Sequence, residues 1–292
     1  MTPDQYCQDK AANSGSSFYY SFLFLPEQQR KAIIALYAFC REVDDVVDAN
    51  TEQHIKQAKL RWWRNEIEGL FQGHAQHPVT RALQPVIEQY NLPQEQFEEI
   101  IEGMEMDLSH HRYASFKELS LYCHRVASVV GLLSIEIFGY QDRQTRKYAH
   151  DLGMAFQLTN ILRDVNEDAQ LNRIYLPQDE LQQFNVSEQD ILQGNTTDNF
   201  IELMKYQVQR AKEYYEKAFS GLPDTDRYTQ RAGLVMASIY QSTLDEIVAD
   251  GCRVLEHRIK LTPWRKAWLA WKTLRQEKRR YKKWLRQNQK LN

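Results

Sequence analysis

The chain reads as all-α, and three observations predict it. Glycine and proline are scarce, at 11 and 8 of 292 residues, and stretches such as 27–49 run without either. Apolar residues also return at the helical period. Turns are built on glycine and proline, so their scarcity favours long helices over many short strands. Hydrophobic residues at 42% and charged residues at 26% suit a folded chain with a sizeable core. No internal repeat or low-complexity linker divides it, so a single domain over 1–262 is expected, followed by a basic tail at 263–292.

Taken in order, Pro26 stands where helices begin and the first long helix covers 27–49. Helical runs follow over 52–73, 79–90, 94–110, 116–138, 142–168, 198–220 and 230–255. Between 169 and 193 the Asn172-Arg173 turn, Pro177 and weak periodicity predict a loop carrying short helices. The last helix opens at Pro263, with Thr262 as its cap. The most apolar stretch, 126–140, contains Ser128, Ser134 and Glu136 and falls short of the roughly 18 apolar residues of a spanning helix, so a buried core helix is expected.

Net charge is −2, which calls for no nucleic-acid partner. Charge is nevertheless uneven: from residue 260 onward twelve lysines and arginines face one acid, Glu277. Trp264, Trp268 and Trp271 share a helical face among them. That pattern fits either a terminal helix docked by its tryptophans or a peripheral contact with an anionic membrane face. Cys7, Cys40, Cys123 and Cys252 are scattered without CxxC spacing, and the first residues lack the pattern of a signal peptide, so a cytoplasmic protein is expected. No Glu-x-x-His occurs, which argues against a di-iron bundle. His110-His111 reads as a surface pair, because adjacent helical residues diverge by about 100°. Trp62-Trp63 reads as one core and one partly exposed ring for the same reason. No feature of the sequence selects an oligomeric state.

Two acidic clusters carry the chemistry. Tyr37, Arg41, Asp44 and Asp48 fall on one helical sector, while Leu36, Phe39, Val43, Val46 and Val47 gather on another. Asp44, Asp45 and Asp48 are like charges near a helix C-terminus, where both mutual repulsion and the macrodipole disfavour them unless a cation is present. Gln157, Asn160, Asp164 and Asp168 repeat the arrangement more than a hundred residues later, with Arg163 beside them. Alone, either set would read as a solvated face. Together they can supply oxygen ligands to Mg²⁺ that also binds phosphate oxygens.

Tyr37-Ala38-Phe39-Cys40-Arg41-Glu42-Val43-Asp44-Asp45-Val46-Val47-Asp48, the segment from Gln157 to Asp168 and the following Arg173-Ile174-Tyr175-Leu176-Pro177 resemble the squalene and phytoene synthase family over nearly the whole chain. Within it, Ser14-Gly15-Ser16-Ser17-Phe18-Tyr19-Tyr20 and the segment from Tyr122 to Gly131 look most like bacterial presqualene diphosphate synthases of hopanoid pathways. The resemblance implies an isoprenoid synthase fold, helices around a central cavity, and head-to-head (1'-1) coupling of two farnesyl diphosphates. It places metal binding, and with it catalysis, on Asp44, Asp48, Asn160, Asp164 and Asp168, with Mg²⁺ as the ion and Mn²⁺ as its substitute. Diphosphate contacts fall on Tyr37, Arg41, Arg163, Tyr240, Arg258, Ser14, Ser16 and Ser17. The cavity wall falls on Phe18, Phe22, Tyr122, Val126, Val130, Gly131, Gly153, Phe156 and Gln157, where the two glycines serve either a prenyl chain or a close helix approach. NADPH is not expected for the first half-reaction. The alternatives are a phytoene or dehydrosqualene synthase, or a complete NADPH-dependent squalene synthase.

Overall fold

A computed structural model describes residues 1–14 and 21–288, and among these the regular secondary structure is all helical, with one isolated bridge between Arg112 and Ile174. Helix α1 (Pro3–Asn13) opens on a capping box in which Thr2 accepts from the Gln5 amide and the Gln5 side chain returns to the Thr2 amide. It then packs on α2 (Glu27–Asp48) and α4 (Pro78–Tyr90), with α3 (Gln53–Phe71) and α5 (Gln94–Ser109) completing this half. The predicted apolar sector of α2 is buried: Leu36, Phe39 and Val43 are fully enclosed. Trp63 is buried while Trp62 is exposed, and His110 and His111 both face solvent.

The stretch expected as one helix over 116–138 is α6 (Phe116–Cys123), a π-turn at His124–Ser128, and α7 (Val129–Phe138). By length and composition Phe116–Phe138 could cross a membrane. Its apolar surface is instead divided between the core and the wall of an internal cavity, since Val129, Leu133 and Ile137 are buried while Val126, Val130 and Gly131 line that cavity. Helix α8 (Gln144–Arg163) runs alongside and packs on α7, on the π-turn, on α12 (Asp198–Gly221) and on α13 (Arg231–Ala249).

The expected helix over 142–168 is broken. Asp164 turns out of the helical region at φ −105° and ψ 16°, and a short α9 (Val165–Gln170) follows. The Asp164 and Asp168 amides still donate to Asn160 and Asp164 carbonyls, both at 2.9 Å, so the break is a kink that keeps the helical register. Two further short helices, α10 (Gln178–Gln183) and α11 (Glu188–Leu192), occupy the predicted loop. Helix α13 ends earlier than the periodicity implied, at a turn where Gly251 and Cys252 both adopt positive φ. The final helix, α14 (Pro263–Asn288), begins as predicted with Thr262 accepting from the Arg265 amide. It is fixed to the body by a bidentate pair, Arg227 to Glu277 at 2.9 and 3.1 Å, and by Tyr281 stacked on Tyr228.

Two hydrophobic cores result, one built mainly from α1 to α5 and α7, the other mainly from α8, α12 and α13. Val126 in the π-turn packs against both. Glycines let the helices between them approach. A Cβ on Gly153 would lie 2.5 Å from the Ser128 Cα, and one on Gly131 would lie 2.7 Å from the Ala149 carbonyl oxygen. The missing side chains of these glycines serve close packing, and both residues also line the internal cavity. Gly153→Ala is therefore expected to destabilise the fold by about 1–3 kcal/mol, since it collides with backbone rather than with a movable side chain. Thermal unfolding checks this, and an unchanged Tm would show that α8 can slide to make room.

Candidate active site

Between the two cores lies a cavity of about 930 Å³. Ile33, Leu36, Tyr37, Cys40, Arg41, Asp44 and Asp48 all line it. It therefore follows α2 from Ile33 to Asp48, about 22 Å at the helical rise per residue. One end is polar. Asp44 and Asp48 from α2 meet Asn160, Asp164 and Asp168 from the kinked end of α8 and α9. The carboxylates of the two clusters are close enough that Asp48 raises the proton affinity of Asp168. Burial, reinforced by Asp48, pushes Asp44 up to about 7, and burial, reinforced by Asp164, pushes Asp168 up to about 8.

Arginines hold the carboxylates in place. Arg41 donates to Asp44 at 2.5 Å and to Asp45 at 2.6 Å. Arg163 forks onto the adjacent Asp164 and contacts the Tyr240 hydroxyl. Arg258 donates to Asp164 at 2.8 Å and reaches Glu167 at 3.4 Å. Tyr37 donates to the Ser14 hydroxyl at 3.0 Å. Asp45 is held by Lys10 of α1, at 2.8 Å, as well as by Arg41, and like Glu167 it is not part of the cavity wall.

Every described residue expected at the site lines this cavity: Ser14, Phe22, Tyr37, Arg41, Asp44, Asp48, Tyr122, Val126, Val130, Gly131, Gly153, Phe156, Gln157, Asn160, Arg163, Asp164, Asp168, Tyr240 and Arg258. Ser16, Ser17 and Phe18 lie outside the described residues. The sequence reading missed several others. Arg173 donates to Asp48 at 3.3 Å and lowers the proton affinity of Asp168, so it stands between the two clusters. It was visible within the Arg173-Ile174-Tyr175-Leu176-Pro177 motif but carried no role there. Asp107 is buried, pushed up to about 6 by burial, and accepts from Tyr122 at 2.9 Å and Tyr175 at 2.7 Å. Lys260 and Lys266 also line the cavity. Burial, then Arg163, Arg258 and Lys260, lower the proton affinity of Lys266. Four cations thus crowd one wall, a distribution that favours a bound anion.

The donors fit a hard divalent cation. Carboxylate and amide oxygens are the ligands Mg²⁺ prefers, and the buried Asn160 Oδ1 has no partner among the described residues. Among those residues, however, no three acidic, histidine or cysteine side chains already converge as a preformed metal cage. The carboxylates are instead folded onto Arg41, Arg163, Arg173 and Arg258.

A measurable pH dependence follows. Both Asp44 and Asp168 are held above their unfolded-state values, so the stability they lend the metal-free protein is fully present below about pH 4, falls as pH rises from there and is gone above about 8. A cation held by these two carboxylates would have to displace their protons, so Mg²⁺ affinity is expected to rise between pH 6 and 8.5, with about one proton released per cation near pH 7. Calorimetry in buffers of different ionisation enthalpy reads this directly. An affinity flat across that range would remove both groups from the ligand set.

The family model described as squalene/phytoene synthase matches residues 11–265. A 15-cis-phytoene synthase of Synechococcus elongatus is 37% identical over 272 residues, covering 89% of this chain and 88% of its own. Phytoene synthase 1 of Solanum lycopersicum is 38% identical over 253 residues, 84% of this chain and 61% of its own. Among solved structures, the squalene synthase HpnC from Alicyclobacillus acidocaldarius superposes with a TM-score of 0.76 at 29% identity, covering 86% of this chain and 94% of its own. A dehydrosqualene synthase in complex with ligand gives 0.82 at 28% identity, covering 93% and 95%. An all-α isoprenoid synthase fold around a cavity that joins two aspartate clusters to an apolar chamber, with a family match over most of its length, makes this chain a member of the squalene/phytoene synthase family.

Proposed function

We propose that the chain catalyses the Mg²⁺-dependent head-to-head (1'-1) condensation of two farnesyl diphosphates to presqualene diphosphate, with release of one diphosphate. The observation that carries this is the meeting of the carboxylate clusters with the Arg163, Arg258, Lys260 and Lys266 wall at the mouth of an apolar cavity. Asp44, Asp48, Asn160, Asp164 and Asp168 would hold the cation. When bound, it neutralises charge on the departing diphosphate. Arg41, Arg163, Arg258 and Lys266 add preorganised positive charge where that leaving group accumulates its own. The C1–O bond of one substrate breaks and leaves an allylic cation. The alkene of the second substrate attacks it, and loss of a proton closes the cyclopropane. Phe22, Val126, Val130 and Phe156 keep water from that cation. Tyr37, Tyr240 and the released diphosphate are the candidate proton acceptors, and Arg163 and Ser14 fix where the two hydroxyls lie.

A second reading has its own support, because the curated relatives at 36–38% identity are phytoene synthases. Incubation with farnesyl or geranylgeranyl diphosphate and Mg²⁺, with and without NADPH, followed by mass spectrometry, separates the possibilities. Presqualene diphosphate from farnesyl diphosphate supports the proposal. Phytoene as the dominant product overturns it in favour of the second reading, and squalene formed with NADPH assigns the complete reductive reaction.

A further inference from the structure

We infer that the outward face of α14 docks on an anionic phospholipid bilayer, beside the rim of the cavity. The inner face of this helix is already used: Ala270 is buried, Glu277 is paired with Arg227, and Tyr281 stacks on Tyr228. That fixes what remains outside. Trp264, Trp268 and Trp271 recur at helical spacing and are 85%, 53% and 54% exposed. At the same spacing the stripe continues into Arg275, Lys278 and Lys282, all exposed. Three large aromatic rings on one exposed stripe are uncommon on a soluble surface unless a partner covers them.

Charge selects the partner. Lys272 sits over the Trp268 ring and Arg275 over the Trp271 ring. Arg265 and Arg280 are neutralised by Glu246 and Asp224 of the body. Lys272, Arg275, Lys278, Arg279, Lys282 and Lys283 have no acidic partner among the described residues. The one acid on the helix, Glu277, is buried in its pair with Arg227. Tryptophan prefers the headgroup region and clustered basic side chains bind anionic lipid, so a face carrying both in one line matches a membrane surface. Nucleic acid would satisfy the charge and leave the overall balance of −2 and the indole stripe without purpose.

The helix also touches the chemistry. Pro263 and Lys266, in its first turn, and Lys260 and Leu261, just before it, line the cavity. Docking would therefore set that rim at the interface, where a prenyl chain enters or leaves without crossing water. This purpose rests on the proposed prenyl diphosphate reaction, whereas binding itself does not.

The test uses the full chain and vesicles of phosphatidylcholine with or without about 30% phosphatidylglycerol. Co-sedimentation with the anionic vesicles, weakened by salt, together with quenching of tryptophan emission by brominated acyl chains, is expected. The triple variant Trp264→Ala, Trp268→Ala, Trp271→Ala is expected to lower partitioning about tenfold or more. Lys278→Glu with Lys282→Glu should lower it too, and neither variant should change the melting midpoint. Failure of the wild-type chain to bind anionic vesicles overturns the inference, as does binding that the triple variant retains. Self-association through the tryptophan face without vesicle binding assigns it to a second copy and also overturns it. Should a variant melt early, quenching of the wild-type protein alone decides: quenching supports docking and its absence refutes it. Vesicle binding with no condensation product would sink the proposed reaction and leave the docking surface standing.

Discussion

Asp168→Asn is expected to lower kcat about a thousandfold at saturating Mg²⁺ and farnesyl diphosphate, the scale on which removing a transition-state charge partner acts. Asp168 sits at the kinked end of the α8–α9 segment, where burial and Asp164 push it up to about 8. Asparagine keeps the shape and one oxygen donor but removes the charge that a divalent cation would neutralise. Asp45→Asn and Glu167→Gln serve as comparisons. Both are acids from the same two motifs, yet neither lines the cavity; Asp45 pairs with Lys10 and Arg41, and Glu167 with Arg258. Each is expected to retain activity within about threefold, in keeping with exposed ion pairs that contribute little. Diphosphate release measured for all three would decide. Asp168→Asn within tenfold of the parent would remove this residue from the reaction.

Glu277→Ala is expected to destabilise the protein by about 3–5 kcal/mol, because it leaves the Arg227 guanidinium buried without its partner. Both groups are enclosed, with side-chain exposures of 16% and 4%, and the pairing is bidentate. Loosening α14 should also raise KM, since Lys266 in its first turn lines the cavity beside Arg163 and Arg258. Replacing both partners by apolar residues, Arg227→Met with Glu277→Leu, should recover most of the stability, because no uncompensated charge then remains. Chemical denaturation reads both effects. A loss below about 1 kcal/mol for the single variant would place this pair with ordinary surface ion pairs.

Much of the architecture was legible because its signals are local. The apolar sector of α2 and the cap at Thr262 both appear as expected, since a 3.6-residue period and a capping side chain act within one or two turns. Helix α1 went unread although Thr2, Pro3 and Gln5 spell its capping box. The kink at Asp164 and the π-turn at His124–Ser128 left no periodic trace. In both places the backbone departs from a regular helix where segments converge on the cavity, and such contacts override propensity.

The sequence by itself determined where most of the long helices lie, the two carboxylate sectors and the apolar faces beside them, and the family to which these motifs point. Tertiary structure alone decided that Arg173 stands between the clusters, that Asp107 anchors Tyr122 and Tyr175, and that Lys260 and Lys266 join Arg163 and Arg258. Lys266 lies more than a hundred residues from Arg163 along the chain. Periodicity reports which way a side chain faces on its own helix. Which distant helix it then faces is settled by packing two cores around a shared cavity.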